Sequence, residues 1–133
     1  MERVYSTPRL DKLGVRPGAR VALVDLRDEQ FEAELGDRTG DITRGEPAAD
    51  TDVVFLAADD HRALERLATL RPRIRPAGSI WVVSRKGKAA TLRDVDVIAA
   101  ARSAGLVDNK VASFDADRTA LRLVIPVALR PRP

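Results

Sequence analysis

Residues 13–29, LGVRPGARVALVDLRDE, constrain the fold more than any other stretch of the chain. Gly14 closes one element and opens a turn. VALV at 21–24 is then a continuous apolar run, as expected of a strand covered on both faces. Asp28 follows within reach of the first turn of a helix, where its carboxylate can accept free N–H groups. A buried strand that passes so directly into a capped helix is a unit of a layered α/β domain. No glycine lies between Asp25 and Glu29, so side chains rather than bare backbone face anything that approaches the carboxyl end of this strand.

The remainder of the chain repeats the pattern. Thr7 with Pro8 predicts a short helix start, ended by Gly14. After Asp28, Phe31 and Leu35 lie on one helical face and Gly36 supplies a left-handed stop. Residues 36–52, GDRTGDITRGEPAADTD, read as a long polar loop, with Ile42 as the place for a short edge strand. DVVFLAA at 52–58 is a second buried strand. Asp59 or Asp60 caps the next helix, in which Leu64, Leu67 and Leu70 recur and which Pro72 and Pro76 end. Gly78 turns the chain into SIWVVS, a third strand. Thr91 and Asp94 form a capping-box pattern before a helix with Val95, Ile98 and Ala101 inward and Gly105 as its stop. Residues 107–114 and 119–127 read as a hairpin across 115–118, and residues 128–133 as a frayed tail. Strands alternating with helices predict a mostly parallel sheet finished by an antiparallel hairpin.

With 133 residues the chain is expected to be one domain spanning 1–133, with 1–12 as an N-terminal segment. There is no cysteine, which removes disulfides and thiolate metal sites. MERVYSTPRL has no apolar core of a signal peptide and no run is long enough to span a bilayer, so a cytoplasmic protein is expected. Residues 1–70 carry 10 basic and 15 acidic side chains, net −5, and residues 71–133 carry 13 and 5, net +8. Between 71 and 93, Arg71, Arg73, Arg75, Arg85, Lys86, Lys88 and Arg93 occur without an acid. Such a segment can attract phosphates or an acidic partner. Trp81 is the only aromatic nearby, which argues against stacking on single-stranded nucleic acid, and mutual neutralisation of the two halves is the simpler reading.

Two resemblances narrow the fold. RPAGSIWVVS is similar to the L-x-P-G-G-x-L lead into the fifth strand of class I S-adenosylmethionine (SAM) methyltransferases, which also close their sheet with a reversed last strand. YSTPRLDKLGVRPG, DVVFLAA, PAGSIWVVSRK and GLVDNKVASFDADRTALRLV, together nearly the whole chain, resemble a family of small bacterial proteins of unknown function marked by YS, TP, KLG and PG and by a GLVD-x-KV ending. The resemblance implies an α/β, Rossmann-like, shortened methyltransferase-like fold that lacks part of the region between the first strand and DVVFLAA. It implies no reaction. When Asp25 is aligned with the acid that ends the methyltransferase first strand, Arg27 and Glu29 fall where the glycines of the cofactor loop belong. The acid that would hold the ribose should end the next strand, and Asp41, Glu46 and Asp50 follow no clear strand.

Ligands of open parallel sheets bind outside the carboxyl ends of the strands. Three polar groups follow strand ends here: Asp25, Arg27 and Asp28; Asp59, Asp60 and His61; and Ser84, Arg85 and Lys86. If they converge, Asp59, Asp60 and His61 are candidate acids or bases, Asp25, Arg27 and Asp28 candidate cofactor contacts, and Ser84, Arg85 and Lys86 a candidate anion site. Each also has a structural explanation as helix cap, first-turn residue or solvated loop. A lone histidine without cysteine does not support zinc, and no carboxylate spacing supports another metal. Neither a phosphate-binding P-loop nor a Gly-x-Ser-x-Gly elbow is present. The expected role is therefore a non-methylating Rossmann-like domain that binds a protein or small-molecule partner, with no cofactor. The rivals are a divergent SAM-dependent methyltransferase and a nucleic-acid-binding module built on residues 71–93.

Overall fold

The computed structural model describes residues 8–131. Its centre is a six-stranded sheet in the order β2-β1-β3-β4-β6-β5, made of β1 (Val21–Val24), β2 (Ile42–Arg44), β3 (Thr51–Ala57), β4 (Ile74–Arg85), β5 (Val107–Ser113) and β6 (Arg118–Val124). The first four strands pair in parallel, and β6 is antiparallel to both β4 and β5. The mixed, mostly parallel sheet with a C-terminal hairpin is thus the architecture expected from the sequence, and the reversed β6 is inserted between β4 and β5.

Strand alternation splits the core into two layers. Ala22, Val24, Val54, Leu56, Ile80 and Val82 face one side, under α3 (His61–Leu64), α4 (Leu67–Leu70) and α5 (Asp94–Ser103). Val21, Leu23, Val53, Phe55, Trp81 and Val83 face the other, under α1 (Arg9–Lys12) and α2 (Glu29–Arg38). Trp81 therefore lies opposite Ile80 and Val82, as the period of two predicts. Its indole N–H donates to the Leu13 carbonyl at 2.9 Å, which satisfies the one polar atom that its burial removes from water.

Several boundaries differ from the sequence expectations. Helix α2 runs through Gly36 to Arg38, and its last turn is held from outside: the Arg38 guanidinium donates to Asp11 and to the Val15 carbonyl, and the Thr39 hydroxyl to the Ala19 carbonyl. These anchors offset the roughly 1 kcal/mol that a helical glycine costs. The 36–52 segment is consequently no free loop. It contains the helix end and the edge strand β2, and Arg20 ties it down through Asp41 and the Ala49 carbonyl.

The helix expected after Asp60 is two short ones. The N–H groups of Glu65 and Arg66 reach back three residues rather than four, which suits the strict spacing of three between Leu64, Leu67 and Leu70. Strand β4 begins before Gly78, at Ile74, and contains Pro76. The pairing register with β3 shifts between Thr51 and Val53, so residues 75–78 bulge out and the missing proline N–H breaks no ladder. Gly78 is required there, because a Cβ would lie 3.0 Å from the Asp52 carbonyl oxygen.

In α5 the inward residues are Val97 and Ala101 with Ile98 beside them, while Val95 is 59% exposed. The Arg93 N–H donates to Asp96, and the Thr91 hydroxyl bonds the Asp59 carbonyl instead of closing a capping box. Pro8 sits just before α1 rather than inside it, and Thr7 lies outside the described residues. Val127–Leu129 form a 3-10 turn, and the Arg130 guanidinium donates to the Ile125 carbonyl. Up to Arg130, then, the predicted tail is tethered. Residues 132 and 133 are outside the described range.

Candidate functional site

The carboxyl ends of β1 and β2 open on a cleft of about 620 Å³ lined by Asp25, Arg27, Asp28, Glu29, Glu32 and Arg44 among others. Its first wall is the β1–α2 turn. Asp25 takes a left-handed conformation with φ 58°, which a short polar side chain tolerates better than a bulky one. Leu26 turns inward and is only 5% exposed, packed in the same layer as Phe31 and Phe55. Arg27 and Glu29 point into solvent at the mouth. Asp28 caps α2 as expected, accepting the Phe31 N–H at 2.9 Å.

Asp28 is also bound to the Arg118 guanidinium, which lies over the Phe114 ring and donates to Asp115 as well. One arginine from β6 thereby ties the α2 cap to the hairpin turn. Burial pushes the Asp28 carboxyl up, but the Phe31 amide and the Arg118 charge outweigh it, and the group titrates below the usual carboxylate range. In Asp115 burial likewise acts upward and is overcome by Arg118 and the Asp117 amide. Both groups are held ionised, as acceptors fixed in a structural network rather than as proton carriers.

Three further charge pairs cross the same end of the sheet. Arg66, between α3 and α4, reaches Asp25 at 3.4 Å. The Arg85 guanidinium lies 3.9 Å from Asp59, which also accepts the Arg85 backbone N–H at 2.9 Å, and Arg44 donates to Glu32. Asp60 rather than Asp59 caps α3, accepting the Ala63 N–H. His61 faces Asp96 of α5 at 3.6 Å and lines a separate apolar groove with Leu64 and Ala104. Ser84 is buried, and Lys86 donates to the Ser113 hydroxyl.

Of the nine candidate residues, the cleft gathers only Asp25, Arg27 and Asp28. Asp59 joins Arg85 beside it, whereas His61 and Lys86 look elsewhere. Sequence reasoning missed Glu32, Arg44, Arg66, Asp115 and Arg118. Only the Asp115-x-x-Arg118 spacing across a predicted turn carried a local signal for any of them. The acid sought for a ribose also looks different in three dimensions: a strand, β2, does precede that position, but it ends in Arg44, with Glu46 beyond it.

The basic segment 71–93 does not form one patch. Arg75 and Arg85 stand near opposite ends of β4, roughly 30 Å apart at the usual rise per residue. Among the described residues no group of three or more potential metal ligands occurs, and no helix is long and apolar enough to cross a membrane.

Residues 11–127 match the family described as "Protein of unknown function (DUF3052)". No curated protein matches the chain. Among solved structures, the pyocyanin biosynthetic protein PhzM is similar with a TM-score of 0.62 and 12% identity, over 89% of this chain and 53% of that one. This chain thus spans about half the length of PhzM. A SAM-dependent methyltransferase from Aquifex aeolicus gives 0.61 and 15% identity, over 88% and 87% of the two chains. Aeropyrum pernix fibrillarin, with natively bound SAM, gives 0.55 and 11%, over 83% and 68%. At these identities the likeness establishes the fold: a Rossmann-like domain of the methyltransferase type.

Proposed function

The chain belongs to the DUF3052 family, and we propose that it is a non-methylating Rossmann-like binding domain whose partner, a small molecule or a protein, docks at the carboxyl end of β1 and β2. The observation that carries this reading is the β1–α2 turn. A SAM site of this fold needs close backbone approach at that turn, and here Leu26 is buried in the core while Asp28 is committed to the Phe31 amide and Arg118. Arg66 bridges to Asp25, the residue aligned with the cofactor-holding acid. Arg44 stands at the end of β2, where an acid would receive the ribose hydroxyls. These residues do not fit SAM.

The cleft suits a different occupant. Its lining has four carboxylates and two guanidinium groups, and with Arg66 and Arg118 reaching in to pair Asp25 and Asp28 the charges balance, which favours a polar or zwitterionic group. The exposed Arg66–Asp25 pair is weakly held and can open to admit it. The rival reading, a divergent SAM-dependent methyltransferase, draws on likeness of fold, which does not imply activity.

Thermal unfolding with SAM or S-adenosylhomocysteine separates the two. A ligand at a hundred times its Kd adds about 2.7 kcal/mol of stability, several degrees in Tm for a domain this small. Millimolar SAM is expected to give no shift. A saturable shift that Asp25→Ala abolishes while the variant stays folded would overturn this reading and promote the divergent methyltransferase.

A further inference from the structure

At the opposite, amino end of the sheet a second cavity of about 460 Å³ lies beneath the turn that leads into β1. We propose that it is a binding site for a phosphate group carried by a small molecule. Its lining includes Arg16 from the turn, Arg75 and Ser79 from β4, Arg122 from β6, and Asp52. Strand alternation sets Ser79 on the same face as Trp81, and Arg122 is the direct cross-strand partner of Trp81, so hydroxyl and guanidinium project from one side of the sheet toward the turn.

Two features of this lining have no partner among the described residues. Ser79 is 2% exposed, yet among the described residues its hydroxyl makes no hydrogen bond. A buried polar group left unpaired is destabilising, and native structures rarely keep one without use. Arg122, half-buried, likewise has no carboxylate or carbonyl partner among the described residues, where the other half-buried arginines have one, and the exposed Arg16 beside it has none either. Asp52 does not neutralise them. Its carboxylate accepts the Arg20 N–H and the Arg75 guanidinium, both at 2.8 Å. Burial acts upward on it, and those two donors outweigh it and keep it ionised below the usual range.

Two free guanidinium groups and one hydroxyl donor match a tetrahedral oxyanion, which accepts several charge-assisted hydrogen bonds at once. The volume falls within the range of small-ligand pockets, and the overlying turn makes this a recess rather than an open groove for a polymer. The turn itself is shaped by Gly14 and Gly18, at φ 73° and 78°.

The test is calorimetric titration with inorganic phosphate and with glycerol phosphate at constant ionic strength, alongside a single-stranded oligonucleotide. Saturable binding of both phosphates is expected, weakened by about tenfold or more in Arg16→Gln and in Arg122→Gln, since each removes one charge-assisted contact. Arg102→Gln, on the exposed face of α5, leaves it unchanged. Ser79→Ala has a signature of its own: a higher Tm without phosphate, because the unpaired hydroxyl is gone, and a smaller phosphate-induced shift. Phosphate heat that is equal in wild type, Arg16→Gln and Arg122→Gln overturns the site. An oligonucleotide that binds more tightly than glycerol phosphate, with the same two variants weakening it, overturns the small-molecule assignment in favour of a nucleic-acid surface.

Discussion

At the carboxyl end of the sheet Arg66, Arg85 and Arg118 each meet a carboxylate, whereas at the amino end Arg16 and Arg122 share a cavity with a buried hydroxyl and meet no free carboxylate among the described residues. Both ends are rich in charge, and the difference lies in commitment. Arg118 holds a helix cap and a hairpin turn together, so its charge belongs to the architecture. Arg16 holds nothing among the described residues. In this fold the end that ordinarily receives ligands is laced by the protein's own ion pairs, Arg27 apart, while at the other end, where Arg20 and Arg75 are paired, Arg16 and Arg122 have no such partner among the described residues and share a recess with a buried hydroxyl. Density of charge is therefore a poor guide to a site, and unpaired charge beside an unpaired polar group is a better one.

The comparison presumes that buried strands hold the two ends in fixed relation, and the largest effect comes from breaking that. Leu56 is fully buried in β3; Leu56→Asp places an unpaired charge in the core and costs about 4 kcal/mol or more, a large part of the stability of a domain this size. Loss of the cooperative urea transition is expected, and a wild-type midpoint would refute the assignment of β3 as central.

Next in size is the contrast between the two arginine classes. Arg118→Ala leaves Asp28 and Asp115 without their shared partner and uncovers Phe114, a loss of about 2 kcal/mol once partial solvent access is allowed for. Arg16→Gln is expected to leave Tm unchanged in phosphate-free buffer. Equal effects of the two substitutions would erase the distinction between committed and free charge.

Acid titration sharpens it further. Asp28, Asp115 and Asp52 all have lowered folded-state pKa values. Each therefore contributes stability that is fully present above the unfolded value of about 3.9 and is lost as pH falls through the folded value. In Arg118→Ala the decline of stability below roughly pH 4 becomes shallower, because Asp28 and Asp115 lose that donor while Asp52 keeps Arg75 and the Arg20 amide. Urea unfolding at several pH values reads the slope, and a slope equal to wild type contradicts the network. The smallest effect is that of Arg66→Ala, whose exposed pair with Asp25 contributes at most roughly 0.5 kcal/mol and fades with salt. A larger loss of Tm would mean that Arg66 is part of the framework rather than a latch over the cleft.

Much of the fold was legible because its signals are local. The apolar runs at 21–24, 52–58 and 79–84 mark buried strands whatever surrounds them, and Asp28 caps within its own turn. The errors arose where distant contacts override a local preference. Gly36 stays helical because Arg38 and Thr39 anchor the helix end to residues far back in the chain. Pro76 is tolerated in a strand because the β3–β4 pairing bulges there. Val95 faces outward because Val97 and Ala101 take the inward face of α5, in the layer they share with Leu64 and Leu67. The site was less legible for the same reason: Arg66–Asp25 and Arg118–Asp28 join residues 41 and 90 positions apart, and no single stretch of sequence carries such a pair. The arginines of 71–93 form a run in sequence and are divided in space by the length of β4.

The insertion of β6 between β4 and β5 has a consequence for how the chain acquires its structure. Strands β1 to β4 can pair among themselves as soon as residue 85 is available, but the outer edge of β4, from Ile80 to Arg85, waits for residues 118–123. At ordinary synthesis rates the interval is a few seconds. Throughout it the nascent sheet presents unpaired N–H and C=O groups beside apolar side chains, an open template for another chain. A fragment ending before Arg118 contains every parallel strand and is nevertheless expected to self-associate, whereas the full chain, with that edge covered, is not. Light scattering of the two at equal concentration measures the difference, and a monodisperse fragment would show that the β4 edge is harmless when bare.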